Sequence, residues 1–166
     1  MGIERDNFES ISSDKNDIMA LILSDEPLVK CLASPSPNFL DETVEDKVSL
    51  LYQSIFPFRY IPDTQEKNRS YITMKFKYNR VRSGNYWKRG TIYFYMFCHK
   101  DIVRTNYGKL RYDFMLQRIN HLMNGSRSLS CQWLGEAVFE DLDEVIIDDS
   151  GNYVGVVAAY QVVEKI

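Results

Sequence analysis

The chain has 166 residues, enough for one domain with a real core, and 45% of them are hydrophobic, the balance of a folded protein and not of a disordered one. With 20 basic and 23 acidic residues the net charge is −3, which excludes a chain that is basic throughout, as many nucleic-acid-binding domains are. Local charge is less even: Lys67 to Lys100 holds nine Lys/Arg and no acid, and Glu136 to Asp149 holds seven acids and no base. A basic surface and an acidic surface on one chain suit head-to-tail contacts between copies.

Residues 1–12 read as a flexible N-terminal arm. They are polar and lack the apolar core of a signal peptide. Asp6 stands where myristoylation at Gly2 would need Ser or Thr. No apolar run approaches the ~18 residues of a membrane span, so no membrane partner is expected. The rest, residues 13–166, reads as a single domain.

From Ser13, a predicted N-cap, the pattern is helical, with Ile18, Leu21 and Ile22 on one stripe. Pro27 suits a first turn, so Glu26–Leu32 predicts a second short helix. SPSPN (34–38) is a loop. Asp41 opens a third predicted helix, DETVEDKVSLLYQSIF, with Val44, Val48, Leu51 and Ile55 on one face and Pro57 as its stop. Residues 71–79 and 91–99 alternate as half-buried strands. Ile72, Met74, Phe76 and Tyr78 share one face of the first, and Ile92, Phe94, Met96 and Cys98 one face of the second. VRSGNYWKRG (81–90) reads as a long hairpin loop between them.

Residues 110–124 predict a helix lined by Phe114, Met115, Ile119, Leu122 and Met123, stopped at Asn124–Gly125. Strands follow at 129–139 and 153–163, with acidic EDLDE (140–144) between them and a turn at 149–152. Val145–Ile147 extends a strand. Hairpin-paired strands with helices on one face define an α+β class: a mostly antiparallel sheet of about four strands, a long β-hairpin loop, and extra N-terminal helices.

Catalytic and metal patterns are weak. Cys98 and His99 are adjacent in a strand and point to opposite faces, so they do not act as a pair. His121 is the other histidine, and Cys98 with His121 is the remaining nucleophile–base combination. The three cysteines (Cys31, Cys98, Cys131) and two histidines show no zinc-type spacing, and odd, widely spaced cysteines read as reduced thiols in a cytosolic setting. The acidic run lacks the calcium-loop pattern, and no phosphate-loop, dinucleotide, nucleophile-elbow or HExxH motif is present. The sequence gives no reason to expect an enzyme, a cofactor or a metal.

Two binding readings carry more weight. RGTIYFYM (89–96) partly matches the aromatic strand of RNA-recognition domains, though Thr91 and Ile92 break the pattern. A nucleic-acid-binding module built on the 86–97 aromatics is therefore an alternative. The 81–90 segment, flanked by Arg80, exceeds the usual hairpin connection of about two to five residues. Arg80, Arg82, Tyr86, Trp87, Lys88 and Arg89 are expected as an assembly surface, and Glu140, Asp141, Asp143 and Glu144 as an acidic subunit–subunit face.

The layout of residues ~15–166 resembles the tail terminator and neck proteins of long-tailed bacteriophages. The likeness is closest in GTIYFYMFCHKD, the helix GKLRYDFMLQRINHLMNG, the strands around Gln132–Phe139, and the last strand GNYVGVVAAYQVV. The resemblance implies a small α+β subunit of a ring, typically a hexamer, at the head–tail junction of the virion. Such a ring ends the tail tube and joins it to head-connector proteins, next to tube and sheath, with DNA passing through its lumen. The helical region 1–56 is longer than that pattern calls for.

Overall fold

A computed structural model describes residues 9–62, 69–82, 87–124, 137–148 and 150–165. The α+β class expected from the sequence is the observed one. Among these residues, three α-helices lie on one side of a five-stranded sheet of order β1-β2-β3-β5-β4. The strands are β1 (Ile55–Phe56), β2 (Ser70–Arg82), β3 (Trp87–His99), β4 (Ala137–Ile146) and β5 (Tyr153–Lys165). All neighbours are antiparallel except β1, which runs parallel to β2.

The alternation of the central strands builds the core. Ile72 of β2 lies opposite Met96 of β3, and Met96 opposite Val156 of β5, so one face carries an unbroken apolar row. Phe94, Ile92, Ala158 and Tyr160 extend it, and all are buried. Helices α1 (Glu9–Ser24), α2 (Glu26–Ala33) and α3 (Arg111–Met123) cover that face with Ile18, Ile22, Leu28, Leu32, Met115 and Ile119. Each such buried side chain contributes about 1.5–3 kcal/mol. On the opposite face Phe56, Tyr71, Phe97, Ile147 and Tyr153 form a second cluster. Phe56 stacks on Tyr60 at 4.1 Å, and Tyr71 on Phe97 at 5.1 Å.

Two ion contacts fix the helices. Asp25 caps α2 by accepting from Leu28 N at 3.2 Å, and its carboxylate also accepts from Arg118 Nε of α3 at 2.8 Å. Arg111, fully buried, donates from Nε to Ile102 O at 2.8 Å and from Nη1 to Cys31 O at 2.9 Å. It also donates to the carbonyls of Ser34, Pro35 and Ser36. The loop after α2 is thereby tied to the start of α3 by one guanidinium.

Several boundaries differ from the sequence reading. Helix α1 begins at Glu9, so Ser13 lies inside it and is not its cap, and the helix enters the stretch expected as an arm. The predicted third helix does not form. Short 3₁₀ turns occupy Phe39–Asp41 and Lys47–Leu50, and Ile55–Phe56 joins the sheet. Asp46 restarts the chain by accepting from Ser49 N at 3.3 Å, and Tyr52 takes a left-handed φ of 59°, which no helix accommodates. Val48, expected in the core, is 60% exposed.

The hairpin is long in its ladder rather than in its loop. Arg80 pairs with Arg89, Val81 with Lys88 and Arg82 with Trp87, past a bulge between Tyr78 and Arg80. Only 83–86 lie beyond the paired residues, outside those described. Gly90, read as a loop glycine, sits in β3 opposite Tyr78 beside that bulge. The acidic run 140–144 is not a connection either: it forms the middle of β4. The expected strand residues 129–136 and Cys131 lie outside the described residues.

Candidate assembly surface

The expected surface residues fall on the two sides of the hairpin and on the far edge of the sheet. Arg80 and Arg82 belong to β2, and Trp87, Lys88 and Arg89 to β3, in direct register with one another. Tyr86 lies outside the described residues. The premise of an overlong loop gives way to a basic two-stranded ribbon. It continues a strand whose Lys75 and Lys77 are exposed.

β2 is an edge strand for most of its length. β1 covers it only at Ile72 and Thr73, and among the described residues no further strand pairs there. A groove of about 290 Å³ opens beside it, between Lys15, Phe58 and Arg59 on one side and Met74, Lys75 and Phe76 on the other. Lys15 Nζ stands 5.6 Å from the Phe76 ring, and Phe58 is 49% exposed. Lys15, Arg59 and Lys75 thus gather around Phe58, Met74 and Phe76 at this edge, although the linear sequence spreads them from position 15 to position 76.

β4 is the opposite edge. Glu140, Asp141, Asp143 and Glu144 are all exposed, and Val138, Phe139 and Leu142 are exposed between them. A bulge between Phe139 and Asp141 changes the phase of the strand. Phe139 N donates to Asn124 Oδ1 at 2.9 Å, which ties this strand to the end of α3. The four expected acids are therefore brought together on one sheet edge, with apolar side chains that the charge count alone did not single out.

Cys98 and Cys31 are fully buried, and burial pushes each thiol up to about 12, so both stay protonated at neutral pH. His121 is exposed on α3, while His99 is buried and its Nδ1 accepts from Asp101 N at 3.2 Å. Among the described residues no group of three or more His, Cys, Asp or Glu is placed to hold a metal ion. Of the β3 aromatics, Phe94 and Phe97 are buried. Tyr93 and Tyr95 are half-buried and already face cations, Lys75 at 5.7 Å and Arg59 at 5.0 Å. A base-stacking platform needs free ring faces.

One cleft had no sequence signal. It holds about 720 Å³ between the 104–110 loop and the first turns of α3, lined by Arg104, Asn106, Lys109, Asp113 and Gln117 among others. Lys109 Nζ donates to Gln117 Oε1 at 2.6 Å. Burial, and then the charge of Glu144, raise the Asp113 carboxyl above its ordinary range. The lining mixes polar side chains with Leu110 and Leu116 in no motif spacing, which is why the cleft is invisible before folding.

Residues 25–162 match the YomW family, and the chain belongs to that family, which is phage-derived. No curated protein matches the chain. No helix among the described residues is long and apolar enough to cross a membrane.

Proposed function

We propose that the chain is a structural subunit of a phage particle that assembles into a ring at the head–tail junction, ending the tail tube and joining it to the head connector. The observation that carries this reading is the opposite charge of the two sheet edges, basic at β2 and acidic at β4. Such a chain joins its copies through unlike surfaces, and a heterologous contact closes as a ring when its rotation permits. The phage-derived family and the resemblance to tail terminator and neck proteins support the same placement. A ring of this kind, a hexamer in the resembling families, has tail-tube, sheath or connector subunits as neighbours and lets DNA pass without reading its sequence.

Disrupting the coding sequence in the producing phage tests the reading. The expected result is tails of uncontrolled length and heads without tails, with peptides of the chain found in purified intact particles. Normal particles that lack the chain would contradict it.

A further inference from the structure

The backbone directions at the two edges define how one copy meets the next. Ile72 N donates to Ser54 O at 2.8 Å, on the outer side of β2. Peptide groups alternate sides along a strand, so those of Met74 and Phe76 also point out of this edge, into the groove beside Phe58 and Arg59. Following the row Ile72, Met96, Val156, Glu144 across the sheet, Glu144 and Leu142 point their peptide groups out of the opposite edge. Leu142 N there donates to the neighbouring Asp141 Oδ1 at 2.9 Å, and among the described residues no strand pairs with this side of β4.

We propose that copies of this chain join edge to edge, β2 of one against β4 of the next, in an antiparallel ladder that sets Lys75 opposite Asp143 and Lys77 opposite Asp141. This rests on the ring reading above and names its interface. The register follows from three constraints met together. The outward peptide groups of Met74 and Phe76 face those of Glu144 and Leu142. The apolar side chains of Phe76 and Leu142 meet on the helix-covered face. Both exposed lysines meet an aspartate on the open face.

The strand directions agree. β2, β3, β5 and β4 alternate, so β4 of one copy is antiparallel to β2 of the next when their sheets share a face, and the sheet continues through the ring. Like edges repel: β4 against β4 sets acids against acids, and β2 against β2 sets lysines and arginines together. Charged edge strands usually prevent indiscriminate pairing, and these acids do so against every edge except the basic one. Exposed ion pairs add little affinity themselves. Main-chain bonds and the apolar contacts hold the interface, and charge selects the partner.

The test uses two variants of the full chain, Lys75→Glu/Lys77→Glu and Asp141→Lys/Asp143→Lys, both at exposed positions, followed by sedimentation velocity. Each alone should self-associate roughly a hundredfold more weakly than the unaltered chain. An equimolar mixture should regain the assembly, because every junction then joins unlike edges, and a misfolded variant could not do this. Hydrogen exchange of the unaltered chain supplies a check free of substitutions: amides of Met74 and Glu144 should gain protection together on assembly. An oligomeric wild type whose state neither variant changes, or whose edge amides gain nothing, overturns this interface and leaves the ring reading standing. A wild type that stays monomeric at every concentration removes both.

Discussion

Gly155 of β5 lies directly opposite Phe97 of β3, and there is no room between them for a side chain. A methyl group at 155 would strike the Met96 carbonyl oxygen and the Phe97 Cβ, both held by the sheet. Gly155→Ala should therefore destabilise the fold by about 1–3 kcal/mol through overpacking. Urea unfolding measures this, and an unchanged midpoint would show that the two strands separate more easily than the register implies.

Arg111 is a buried cation with no carboxylate partner among the described residues, satisfied by five backbone carbonyls and set 5.0 Å from the Phe39 ring. Arg111→Met leaves those carbonyls in the interior unpaired. The expected cost is about 3–5 kcal/mol in chemical unfolding, the scale of breaking a buried charged network. Arg111→Lys should recover only a small part, because one ammonium cannot span carbonyls from residue 31 to residue 102.

The buried thiols are inert by environment. Desolvation pushes Cys31 and Cys98 up to about 12, which Arg111 nearby only partly opposes. Iodoacetamide at pH 8 should leave both unmodified in the native chain and alkylate both in urea, as read by peptide mass spectrometry. Rapid native labelling of Cys98 would return the Cys98/His121 chemistry to consideration.

Asp113 contributes a pH dependence to stability. Its folded carboxyl is raised by burial first and by Glu144 second, so between the unfolded and the folded value the folded chain binds the more protons. The sign follows: this contribution to stability is complete below the unfolded carboxyl value and is lost as pH rises through the raised one. Glu144→Gln should lower the Asp113 value in a carboxyl-carbon NMR titration. An unchanged titration would mean that burial acts alone.

The central sheet and α3 were legible because their periodicities were local. Ile72, Met74, Ile92, Phe94 and Met96 are buried on the face that their spacing predicts. The 41–56 segment failed for a physical reason: Val44, Val48, Leu51 and Ile55 recur at helical spacing, yet Ile55 is taken by a parallel pairing with Ile72 that no local pattern announces. Of the charged edge residues, the acids are legible from charge alone. Lys75 and Lys77 stand in plain alternation, but only the strand order makes β2 an edge. The hairpin residues read as a loop because 81–90 contains Gly84 and Gly90, whereas Gly90 lies within the ladder, opposite Tyr78 beside a bulge.

The most direct measurement of the central claim is the mass and shape of the purified, unaltered chain, by native mass spectrometry and negative-stain microscopy across a range of salt. Closed rings of uniform subunit number that loosen as salt rises are the predicted result, since edge charges selecting the contact are screened. A monomer of 19.4 kDa at every concentration and salt would contradict it.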